Sequence, residues 1–136
     1  MAHIDLLTAT TATNGPPSGA GAGKDMPHTT DIATLFVHST AGSATMTVTL
    51  RLWGYSAYTG KWYPLGTGTA ALKGVINAGA AIAEDASLGA DTLLHAEVVT
   101  SLQRIDRVYL EVLAIGGTST AVTAVLDCVP CSAVTQ

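Results

Sequence analysis

The sequence predicts an all-β protein: an antiparallel β-sandwich, immunoglobulin-like or jelly-roll, with an extended N-terminal arm. Three observations predict it. Apolar residues recur with period two, most strictly in "TMTVTLRLWG" (45–54), where Met46, Val48, Leu50 and Leu52 share one face and Thr45, Thr47, Thr49 and Arg51 the other. Such runs follow one another at intervals of about 8 to 12 residues, giving roughly seven strands. The 48% hydrophobic content is carried by Ala and Val beside much Thr and Gly, which suits thin, closely packed strands better than helices.

The elements follow in chain order. Residues 1–30 read as a flexible arm: "TATTATNGPPSGAGAGKDMPHTTD" combines Thr/Ala low complexity, turn dipeptides and a Gly-Ala tract, and buries little. Ile4, Leu6 and Leu7 at its tip form a candidate docking point on a neighbouring chain. The sandwich domain is expected over 31–136. It opens with "DIATLFVH" (31–38), followed by the 45–54 strand. The turn "YSAYTG" then returns the chain through "KWYPLG", with Pro64 marking a strand end or an edge. "TAALKGVINAGAAIAED" (69–85) has helix-compatible alanines, but Gly74, Gly79, Val75 and Ile76 favour one or two short strands. "DTLLHAEVVTSL" (91–102) is read as a strand in preference to a helix. "DRVYLEVLAIGG" (106–117) and "STAVTAVLDCV" (119–129) are long β-branched runs joined across Gly116, Gly117 and Thr118, which predicts a hairpin. In the first of them Val108, Leu110, Val112 and Ala114 share one face, and Tyr109, Glu111, Leu113 and Ile115 the other. Both faces are apolar enough for a central strand or one covered by a neighbouring chain.

Composition narrows the function classes. The six basic residues (Lys24, Arg51, Lys61, Lys73, Arg104 and Arg107) are scattered singly and the net charge is −4, so a phosphate backbone finds no clustered cations. Only 12% of residues are charged, against about 25% in an ordinary soluble monomer, which points to surface spent on other subunits. No run approaches the roughly 18 consecutive apolar residues of a membrane span. The N-terminus lacks a basic region followed by an apolar one, so synthesis in a cytoplasm is expected.

Catalytic constellations are not expected. His3 and His28 lie in the arm, and His38 and His95 lie in strands, where a hydrogen-bonded structural histidine is the default. Glu84 and Asp85 are adjacent and would face opposite ways on a strand. Glu97 and Glu111 could pair, but Glu111 is expected to form a salt bridge with Arg104 or Arg107. "CVPC" (Cys128, Cys131) lacks the second ligand pair of a zinc site and the strand-to-helix context of a redox motif. Its cysteines read as thiols, with a disulfide formed on leaving the cell as the alternative. "GAGAGK" lacks the spacing and terminal hydroxyl of a phosphate loop. No cofactor, metal or catalytic residue is assigned.

"TVTLRLWGY", "TGKWYPLGTG" and "DRVYLEVLAIGGTSTAVTAVL" together resemble small virion proteins of tailed bacteriophages, of the head-decoration or cement type, over roughly residues 31 to 127. The resemblance is one of style and element order. It implies a non-enzymatic β-sandwich on the outside of a capsid, often a trimer, contacting the major capsid protein. It also implies localisation to the virion after synthesis in the host cytoplasm. The alternative is a receptor- or glycan-binding module of a head fibre or tail.

Both tryptophans and three of the four tyrosines fall within "RLWGYSAYTGKWYPLG" (51–66). Parity places Trp53 on the Thr/Arg face, away from the core. Trp53, Tyr55 and Tyr58 are therefore the candidate interface residues of the domain, the alternative being a self-packed hairpin in which the rings shield each other and Arg51 or Lys61 stacks on them. Of Trp62 and Tyr63, one is expected to cap the core and the other to join Trp53.

Overall fold

The computed structural model describes residues 2–27, 30–41, 46–65, 76–84, 88, 92–100, 102, 104–117 and 120–130. Among these, nine strands run in chain order: β1 (Ala2–Thr10), β2 (Lys24–Asp25), β3 (Thr30–Ala41), β4 (Thr47–Ser56), β5 (Lys61–Pro64), β6 (Ile82–Ala83), β7 (Leu93–Val99), β8 (Arg107–Gly116) and β9 (Ala121–Pro130). A one-turn 3-10 segment at Ile76–Gly79 precedes β6. One sheet has the order β1-β9-β3-β7, the other β2-β8-β4-β5, and β6 pairs with β4. Every pairing is antiparallel.

β8 occupies one edge of β4 along Thr47–Tyr55, so β5 and β6 share the other edge as one interrupted lane. Counted that way, eight lanes cross to the opposite sheet at every link except the β4–β5 hairpin. This is the jelly-roll order, and it sets aside the immunoglobulin-like alternative. Thr59 and Gly60 close that hairpin, Gly60 at φ +70°, and β5 ends at Pro64 on the sheet edge as expected.

The core lies between the sheets and is built by the alternation read in the sequence. β4 buries every second residue from Val48 to Gly54. Leu50 and Leu52 of β4, Leu35 of β3, Leu93 of β7 and Leu126 of β9 are inaccessible to solvent. Each such side chain contributes about 1.5–3 kcal/mol by leaving water. Gly54 permits one end to close, because a Cβ there would meet the Leu65 side chain at 2.8 Å and Ile105 at 3.0 Å. Leu65 is buried at that site. Neither Trp62 nor Tyr63 provides the cap.

Three expectations need correction. Residues 1–30 are not a separate arm: β1 is the outer strand of the first sheet, β2 joins the second, and Ile4, Leu7 and Met26 belong to the core. β8 and β9 do not form a hairpin. Both are long enough to be inner strands, and each finds partners in a different sheet, so the link between them is a crossover. The face assignment along β8 also changes partway. The β4–β8 register shifts between Thr49↔Ala114 and Leu50↔Val112, leaving Leu113 as an extra residue. This bulge turns Ala114 outward and Ile115 toward the core. The 91–102 strand is present as β7. Of the 69–85 segment, the described part is the 3-10 turn and β6, with Lys73, Gly74, Val75 and Asp85 outside the described residues.

Candidate functional site

Trp53, Tyr55 and Trp62 lie on the outer face of the β2-β8-β4-β5 sheet, where parity puts them, while Tyr63 stands opposite Gly54 and Tyr58 lies in the turn. Register sets Trp53 beside Tyr109 and Tyr55 beside both Trp62 and Arg107. The rings form a chain: Tyr55 and Trp62 centroids are 5.2 Å apart, Trp62 and Tyr109 6.2 Å. The Arg51 guanidinium lies 6.0 Å from the Trp53 ring. Trp53 Nε1 donates to Glu111 Oε1 at 2.9 Å. Glu111 therefore takes an indole partner, and Arg107 pairs instead with Asp25.

This face is covered by the chain's own N-terminal segment. Trp62 Nε1 donates to Gly19 O (2.8 Å) and Tyr109 Oη to Gly15 O (2.9 Å). Arg107 Nε donates to Ala22 O at 2.8 Å. The Asn14 amide donates to Leu110 O (3.1 Å) and accepts from Val112 N–H (2.8 Å), standing in for a neighbouring strand along an otherwise open stretch of β8. Burial, and then the nearby Glu111 charge, push the Tyr109 hydroxyl above its usual 10.0. The segment read as a flexible arm thus turns part of the candidate interface face into an internal joint. Trp53 and Tyr55 are half-buried within it, Ile4 and Leu7 are buried in the core and Leu6 packs against it.

Tyr58 remains exposed. At the tip of the β4–β5 turn it is 98% accessible, beside an open pocket of about 620 Å³ lined by Ser56, Ala57, Arg104 and Asp106. Asp106 is committed to the turn, accepting from Ala57 N–H at 2.7 Å. Arg104, exposed and at φ +66°, supplies the cation of this pocket.

The outer face of the other sheet is apolar and open. Ile32 and Phe36 of β3 and Leu94 and Val98 of β7 are each 45–58% exposed. Phe36 lies between Ala96 and Val125 in register, and Thr34 pairs with Val98. A shallow groove of about 370 Å³ runs beside Phe36, His38, Leu94 and Ala96. The sequence signal for this surface was the alternation in 31–38 and 91–102. In β7 the polar His95 and Glu97 share the inward face with the buried Leu93 and Val99, and Leu94, Ala96 and Val98 face out.

His95 Nε2 lies 2.8 Å from Glu97 Oε1, which also accepts from Asn77 N–H at 2.9 Å. Glu97 and Glu111 lie in different sheets and do not converge. Cys128 faces the core, while Cys131 and His28 lie outside the described residues. Among the described residues, no three His, Cys, Asp or Glu side chains gather as metal ligands, and no helix is long and apolar enough to cross a membrane. No protein-family model, curated protein or solved structure matches the chain.

Proposed function

We propose that this protein is a non-enzymatic structural component of a phage virion, made in the host cytoplasm. It decorates or cements the capsid surface through contacts with its own copies and with the major capsid protein. The open apolar row of Ile32, Phe36, Leu94 and Val98 carries this reading. Exposed apolar side chains gathered on one sheet face are the property of a protein that finishes its burial against other proteins. The low charge content and the resemblance in element order support it. Jelly rolls serve in capsids and in lectins alike, so the fold itself is neutral between the readings.

Co-sedimentation with expanded capsids tests the proposal. The wild-type protein pellets stoichiometrically, and Phe36→Asp, which places a charge in the centre of the row, releases it into the supernatant while its far-UV spectrum is unchanged. Undiminished pelleting of that variant defeats the assignment of the surface. Failure of the wild type to pellet defeats the function.

The Tyr58 pocket favours a second reading, a receptor- or glycan-binding module of a head fibre or tail. An exposed ring beside Arg104 suits stacking on a sugar. In that case Tyr58→Ala abolishes binding to host cells, and Phe36→Asp has no effect on it.

A further inference from the structure

We infer that β7 is a self-complementary edge that pairs with β7 of a second copy about a two-fold axis through Ala96, joining two four-stranded sheets into one. The proposal deepens the self-association part of the reading above and replaces the three-fold arrangement implied by the resemblance with a two-fold one.

Among the described residues β7 pairs only with β3 and ends its sheet. In an antiparallel pair of identical strands the numbers of opposed residues sum to a constant. That sum is even when both faces of the sheet continue across the junction. Three registers are central on Leu93–Val99. Centring on His95 opposes His95 to itself and sets Glu97 against Leu93. Centring on Glu97 opposes two carboxylates. Centring on Ala96 places His95 opposite Glu97 of the second copy and Glu97 opposite its His95, with Leu94 facing Val98 on the outer face.

Opposed side chains in such a pair are about 4.5–5.5 Å apart at Cβ, within reach of an imidazole–carboxylate hydrogen bond. Glu97 has capacity for that bond once its carboxylate turns toward the edge: Oε2 is enclosed in the single chain and makes no hydrogen bond among the described residues, while Oε1 is already shared by His95 and Asn77. Inward charges usually blunt a sheet edge by opposing every newcomer. Here two groups of opposite hydrogen-bonding character, two residues apart, reject other registers and admit one. The outer row then runs unbroken through Phe36, Ala96 and their symmetry mates, doubling the apolar face.

A single strand pair is smaller than a standard interface, so the dimer is expected in the roughly micromolar range. The full chain should sediment as a monomer–dimer equilibrium, in the absence of any capsid, so this outcome is read separately from capsid binding. Ala96→Cys tests the register directly. It should form a disulfide-linked dimer on mild oxidation, measured against the unsubstituted chain with its two native cysteines, because residue 96 then lies about 4.5–5.5 Å at Cα from its own mate. His95→Glu and Glu97→His should each weaken self-association by roughly ten-fold or more through like groups opposed twice. An equimolar mixture of the two should dimerise as a heterodimer, although each chain keeps its own mismatched pair. A structural role for these residues alone does not give that recovery. A wild-type monomer across the concentration series, or an oligomer in which Ala96→Cys does not cross-link, overturns the proposal. So does a mixture of the two folded variants that stays monomeric.

Discussion

Glu111 is a carboxylate only 7% exposed, and the Trp53 indole is its hydrogen-bond donor. A buried charge is tolerated when it is hydrogen-bonded, and removing the donor leaves its desolvation uncompensated. Trp53→Phe keeps a ring near Arg51 but removes the N–H. It should destabilise the protein by about 1–3 kcal/mol in urea titrations, whereas Tyr58→Ala, on an exposed turn, should stay within about 0.5 kcal/mol of wild type. Tyr109 makes a pH-dependent contribution. Its folded pKa is raised above 10.0, first by burial and then by Glu111, so the folded state favours the neutral phenol. That stability is complete below the unfolded value and is lost as pH rises through the folded one. The stability advantage of wild type over Tyr109→Phe should therefore be constant at neutral pH and shrink on titration above pH 10.0. An advantage unchanged at high pH would mean that burial and Glu111 do not disfavour the ionised phenol in the folded state.

Along β8 one element explains both what sequence parity reveals and what it conceals. Val108, Leu110 and Val112 face the core as alternation requires, and the parity of Trp53 across on β4 is also right. The bulge at Leu113 has no composition of its own, so Ala114 and Ile115 exchange faces without warning. The β8–β9 hairpin looked secure because local turn chemistry is visible in sequence. In a jelly roll, however, the link between them is a crossover, and the choice rests on pairings 52 to 100 residues apart in the chain. The role of Asn14 was hidden for the same reason. A polar residue in a Gly/Pro-rich stretch reads as turn, whereas its amide satisfies a carbonyl and an N–H of β8. Asn14→Ala should leave Leu110 O and Val112 N to water. Hydrogen exchange at Val112 should accelerate, with a stability loss of about 1–3 kcal/mol from two hydrogen bonds. Asn14→Asp, which retains the acceptor, should protect Val112 while losing the bond to Leu110. Equal exchange at Val112 in all three proteins would remove Asn14 from its strand-like role.

At the scale of the molecule, the N-terminal residues decide whether the sandwich is complete. Low complexity made residues 1–30 read as a flexible arm, because Thr, Ala and Gly report little about burial and the three apolar residues at the tip are too few for a period. Within the fold, β1 covers the outer edge of β9 from Cys128 to Val122, and its bulges between Asp5 and Thr10 keep Ile4 and Leu7 both directed inward. Those two side chains contribute about 1.5–3 kcal/mol each, a large share of the roughly 5–15 kcal/mol that stabilises a typical domain. Deleting residues 2–10 also turns β9 into a long open edge, which templates aggregation. The truncated chain should melt roughly 10–25 °C below wild type and aggregate on heating. A clasping arm makes the opposite prediction: the same deletion would leave melting unchanged and abolish only assembly on the capsid. Calorimetry of the truncated protein separates the two before any capsid is added. Loss of capsid binding by a truncated chain with a lowered melting temperature is then a consequence of an unfinished sandwich, while a full melting temperature would show that β1 stands outside the cooperative unit.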